Sequence, residues 1–107
     1  MKTMNKYNLE VSNETLNKSL KRIINLIYKL LPMREEGNDW EKPLETIIEE
    51  LVGMNRLVID LQPDLFPIIC KLEGLFSLQD KQEMALYRRT IFECLSLLNK
   101  IEVLWQD

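Results

Sequence analysis

Near the C-terminal end of the chain, Met84, Tyr87, Ile91, Cys94, Leu98, Ile101 and Trp105 recur at intervals of three and four without a break. In a helix with 3.6 residues per turn this spacing gathers all seven on one stripe. In a strand it would scatter them over both faces. The same rhythm returns three more times. Leu16, Leu20, Ile23, Ile27 and Leu30 carry it first, followed by Leu44, Ile47, Leu51, Met54, Val58 and Leu61. Leu65, Ile68, Ile69, Leu72, Leu75 and Phe76 form the third set. Four amphipathic segments in 107 residues predict an all-α chain with one shared core. With only 3 Gly and 4 Pro, the chain has too few turn residues for many short strands.

Capping residues set the expected boundaries. Ser12 is a good N-cap, and Pro32 disfavours helical geometry in Leu31, so the first helix is expected at about 12–31. A kinked continuation to Glu36 is the alternative. Asp39 caps the second helix, Pro43 is tolerated in its first turn and Pro63 closes it, giving about 40–61. Asp64 can cap a third and shortest helix at 64–78. Asp80 and Glu83 stand at capping-box spacing and open the fourth, at 80–105. Residues 1–11 lack helical periodicity; Tyr7, Leu9 and Val11 alternate with polar neighbours, as in an extended or flexible arm. Short connections join antiparallel neighbours, so residues 12–107 are expected to form a single-domain four-helix bundle, up-down-up-down, with some irregularity from the short third helix. Trp40 and Trp105 are expected to cover opposite ends of its core, Trp105 alternatively lying in an interface.

The absence of histidine removes the commonest general base and the commonest transition-metal ligand. There is no Gly-rich phosphate loop and no nucleophile elbow. No enzyme, no metal and no cofactor is therefore expected. The acidic loop Glu35–Asp39 lacks the alternating ligand spacing of a calcium loop. Glu41, Glu45 and Glu49 share their helix face with Lys42 and Arg56, as on a solvated surface. Cys70 and Cys94 are expected as buried free thiols. No segment has signal-peptide or membrane-spanning character, which predicts a cytoplasmic protein. The abundance of Lys, Asn and Ile fits an A/T-rich genome, bacterial or phage.

Charge is uneven along the chain although the net value is only −3. Residues 1–34 hold seven bases and two acids; residues 35–83 hold twelve acids and four bases. A basic first helix beside an acidic second one accounts for this. The alternative is a surface for nucleic acid or another anion built from Lys18, Lys21, Arg22 and Lys29. Arg88 and Arg89 are expected to pair with acids of neighbouring helices. Asn55 falls inside an apolar face and needs a partner.

The last helix carries apolar residues beyond its core stripe. Leu86, Leu97 and Leu104 are separated by 11 and 7 residues and return to almost the same helical angle, with Val103 and Trp105 nearby. Leu57, Phe66 and Cys70 likewise depart from the centres of their stripes. A helix apolar on two sides is either central in its domain or covered by a partner. The expected function is a non-enzymatic protein–protein interaction: an inhibitor, immunity factor, adaptor or assembly subunit, and a homodimer through the last helix. Nucleic-acid binding by the basic first helix is the alternative.

Overall fold

Pro32 does not end the first helix. In the computed structural model, which describes residues 2–4, 10–58 and 61–104 and side chains within 15–58 and 61–101, helix α1 spans Asn13–Glu35 with Pro32 inside it. A proline this close to a helix end removes one backbone donor but leaves the following turn intact, and the Glu36 N–H still donates to the Pro32 carbonyl at 2.9 Å. Glycine sets the true stop. Gly37 adopts φ 78°, the left-handed conformation that costs glycine little. Its N–H donates to Arg34 O at 3.1 Å, and Asn38 N–H donates to Met33 O at 2.8 Å. This crossed pair is a Schellman cap. The extra turn brings Met33 onto the core and places Arg34 at one end of the molecule.

Helix α2 spans Glu41–Leu57. Asp39 Oδ1 accepts the Glu41 and Lys42 N–H groups at 3.0 and 3.3 Å, so Asp39 supplies the expected cap. The helix stops before Val58, which is extended at φ −121°, ψ 92°. Val58 and Leu61 are nonetheless buried, and for that reason they keep the three-four rhythm beyond the helix itself. Pro63 opens α3, Gln62–Gly74, rather than closing α2; a first-turn proline gives up only an N–H that has no intrahelical partner. Gln62 Nε2 donates to Asn55 O at 2.8 Å and ties the corner together. A 3-10 turn, Leu75–Ser77, follows α3. The Asp80 N–H donates to Glu83 Oε1 at 3.1 Å, and the 3-10 turn Lys81–Glu83 leads into α4, Met84–Leu104. Near the N-terminus, β1 (Lys2–Met4) and β2 (Glu10–Ser12) pair antiparallel, with Thr3 opposite Val11.

The four helices form one compact globule, 45 × 23 × 20 Å. Helix α1 packs on α2 and α4, and α3 packs on the same two, so the contacts close into a ring. Leu20, Ile27, Leu30, Leu44, Leu51, Leu72, Ile91 and Leu98 are completely buried within it. Trp40 covers one end of the core as expected. Its ring stacks on Phe76 at 6.4 Å and meets Tyr87 edge-on at 5.0 Å. Trp105 lies outside the described residues. No described helix is long and apolar enough to cross a membrane.

Two buried acids make stability depend on pH at the alkaline end. Burial pushes Tyr87 up to about 12, partly opposed by Arg34. Burial also pushes the Cys94 thiol up to about 12, with Lys71 opposing and Glu93 adding. Unfolded, these groups release protons near their ordinary values of 10.0 and 9.0, whereas the folded protein holds them until about pH 12. Their contribution is therefore full below pH 9 and is lost as pH rises toward 12, at roughly 1.4 kcal/mol per unit for each group in its window. Urea unfolding should show a midpoint that is lower at pH 10.5 than at pH 8, and Cys94→Ala should flatten that decline. A midpoint independent of pH over this range contradicts the assignment.

Candidate functional site

The outward side of α4 carries two of the five large apolar side chains that stand exposed among the described residues. Leu86 and Phe92 are each 50% exposed, although Tyr87 and Ile91 beside them are fully buried. Leu86 and Phe92 are six residues apart, which puts them on the two edges of the outward side with Arg89 between them. Leu97, expected on the same stripe as Leu86, is half-buried against the core. Its angle faces the α3 seam, where Lys71 and Glu93 pair at 3.5 Å. Val103 and Leu104 belong to the last turn of α4, beyond the described side chains. Phe92 went unnoticed in the periodicity because it directly follows Ile91, a core position. One step of 100° carries it off the buried stripe.

Other apolar side chains are exposed elsewhere. Phe66 on α3 is 61% exposed, and Tyr28 on α1 and Leu57 on α2 are also open. Leu57 lines a groove of about 350 Å³ between α1 and α2, together with Leu16, Ile23 and Met54. Cys70 is exposed, unlike Cys94, and both are free thiols. The reason is positional: Cys70 lies one residue past Ile69, on the solvent side of α3, whereas Cys94 belongs to the α4 stripe.

The basic residues of α1 remain on the surface. Lys18, Lys21, Arg22 and Lys29 are all exposed, on the side of α1 away from the core. Arg22 turns toward α2 and pairs with Glu50 at 2.6 Å, which is the basic-against-acidic helix arrangement the charge pattern implies. Arg88 reaches α1 and pairs with Glu35 at 2.8 Å. Arg89 meets Glu93 of its own helix at 4.0 Å. Among the described residues no group of three or more Cys, Asp or Glu side chains is placed to hold a metal ion. The Asn55 Oδ1 is buried with no hydrogen-bond partner among the described residues.

A cluster at one end of the molecule joins three helices. The Arg34 guanidinium lies over the Tyr87 ring at 4.4 Å and the Trp40 ring at 5.2 Å, close enough for cation–π attraction to both. Arg34 Nη2 donates to the Asp80 carbonyl at 3.0 Å, fixing the α3–α4 connection to the end of α1. A cavity of about 440 Å³ opens beside this cluster, lined by Arg34, Glu35, Trp40, Gln79, Lys81 and Met84. Trp40 is expected at the core end from its place at the start of the second helix; periodicity gives no hint of Arg34, two of whose three partners, Asp80 and Tyr87, lie 46 or more residues away. Comparison of the chain with protein-family models, curated proteins and solved structures gave no match.

Proposed function

We propose that this chain is a non-enzymatic protein–protein interaction module that pairs with a second copy of itself through the outward side of α4. The reading includes an up-down-up-down bundle. It is supported by the meeting of Arg34, Trp40, Phe76 and Tyr87 at one end, where α1 and α3 finish and α2 and α4 begin. The observation that carries the functional reading is the half exposure of Leu86 and Phe92 on the two flanks of the outward side of one helix, since large apolar side chains left open on one element are what a partner covers.

A second copy suits this face because the face carries both signs of charge. Arg89, Glu93 and Lys100 are all exposed on α4, Glu93 pairing with Lys71 and Arg89 within the chain, and a two-fold pairing sets a base of each copy near an acid of the other. Helix α4 has 21 residues, which at 1.5 Å each gives a contact line of about 30 Å. That length, widened by the neighbouring flanks of α1 and α3, suits an interface of the standard ~800 Å² per partner. Sedimentation equilibrium tests the reading. The native protein should sediment at twice its 12.7 kDa chain mass, and Phe92→Glu should sediment at the single-chain mass with an unchanged circular dichroism spectrum. A native monomer at millimolar concentration, or a Phe92→Glu protein that stays dimeric, overturns it.

A further inference from the structure

We propose that the second copy seats on a face shared by α4 and α1, with the two Tyr28 side chains meeting on a two-fold axis. The inference rests on the self-pairing read from α4 and extends it to a neighbouring helix. Width is the first argument. An α-helix is roughly 10 Å across. With its 21 residues, α4 alone offers on the order of 300 Å², well short of the ~800 Å² per partner of a standard interface. A neighbour has to contribute. On the α3 side, Lys71 already pairs with Glu93 at 3.5 Å. The large exposed side chain of α3, Phe66, lies about 140° round that helix from Lys71 and so turns away from α4. On the α1 side, Arg88 pairs with Glu35, the last residue of α1, at 2.8 Å. Moving inward from that pair, one turn of α4 reaches Phe92, while one turn of α1 reaches Leu31 and a second reaches Tyr28. Leu31 packs on the core, but Tyr28 is 48% and Phe92 50% exposed. Two large aromatic side chains therefore stand open on the adjoining flanks of two packed helices.

Charge identifies what covers this face. Lys21, Tyr28 and Glu35 are spaced seven residues apart, and seven residues fall only about 20° short of two turns, so the three share one flank of α1. All three are exposed. A base and an acid thus stand about 10 Å to either side of the aromatic ring. A two-fold axis that crosses α1 at Tyr28 reverses the helix direction, which brings Lys21 of each copy to Glu35 of the other. Arg88 holds Glu35 through Oε1. A carboxylate accepts more than one donor, so the Lys21 ammonium adds to that pair without breaking it. Copies aligned in the same direction would set Lys21 against Lys21 and Glu35 against Glu35, and like charges select against that arrangement. A stripe with one charge of each sign matches itself. Nucleic acid or an anionic membrane, carrying a single sign, would meet Glu35 unfavourably.

Charge exchange on the full chain tests the arrangement by sedimentation equilibrium, with circular dichroism confirming that each surface variant stays folded. Lys21→Glu and Glu35→Lys should each weaken the dimer by about tenfold or more. The double variant should recover most of that loss, because the exchanged charges meet again across the axis. Glu35→Lys and the double variant both lack the Arg88–Glu35 pair, so pairing within the chain cannot produce the recovery. In a Cys70→Ser background, Tyr28→Cys should oxidise to a disulfide-linked dimer at least about tenfold faster than Lys29→Cys, since a residue on the axis meets its own counterpart. Weakening without recovery, or equal cross-linking at the two positions, overturns the proposal. If Phe92→Glu still separates the copies in that case, pairing through α4 stands and only the α1 face is wrong; a native monomer removes both.

Discussion

Trp40→Ala should destabilise the protein by about 4 kcal/mol, in line with the cost of truncating a buried tryptophan. The indole is only 8% exposed and touches three groups from separate parts of the chain. It stacks on Phe76 after α3, meets Tyr87 of α4 edge-on and lies under Arg34 of α1. Removing it leaves a void at the end of the core and exposes the fully buried Tyr87 to water. Tyr87 would then ionise closer to its ordinary value, so the near-ultraviolet titration of the variant should gain a tyrosine transition well below pH 12. Chemical denaturation measures the first effect and the titration the second. A loss below 1 kcal/mol would mean that Trp40 does not close the core.

Leu72→Ala should cost about 3 kcal/mol, by loss of buried methyl groups plus the cavity left behind. For a domain of this size the melting temperature should fall by roughly 12 °C or more. Leu72 is completely buried, as are Leu65 and Ile68 on the same face. Helix α3 is 13 residues long, too short for much stability of its own. It is held by this stripe against α2 and α4, so one missing side chain removes a large share of its anchorage. Glu45→Ala, on the exposed side of α2, should change stability by less than about 0.5 kcal/mol and serves as the control.

Much of this fold is legible in the sequence because buried positions must repeat with the helix. Leu16 to Leu30, Leu44 to Leu51, Leu65 to Leu75 and Tyr87 to Ile101 all sit in the core where their spacing puts them. The capping residues Asp39 and the Asp80–Glu83 pair are equally local signals, and both act as expected. The failures share one cause. Pro32 and Pro63 carry the same local bias, but a proline is tolerated in the first turn of a helix and near its end, so the bias alone does not place the stop. At Pro32 the helix continues because Gly37 supplies the better terminus. Between Val58 and Leu61 the apolar rhythm persists after the helix has stopped, since burial alone sustains it. Periodicity reports which residues are inside, not which backbone conformation puts them there.

The candidate surface was less legible for a related reason. Leu86 and Leu97 occupy nearly the same helical angle, yet Leu86 is half exposed and Leu97 packs against the core. Angle alone cannot separate them, because the neighbour covering each depends on position along the bundle. Phe92 was hidden by its adjacency to Ile91. The Arg34 cluster depends on contacts between residues far apart in sequence, which no local pattern encodes.

The self-association of α4 can be observed directly in a sample mixing ¹³C-labelled and unlabelled chains, where an isotope-filtered NOE spectrum reports only contacts between copies. Intermolecular signals should reach the Leu86 methyls and the Phe92 ring, and they should vanish in Phe92→Glu. Intermolecular signals confined to Phe66, Tyr28 or Leu57, or none at all at millimolar protein, would contradict pairing through this helix.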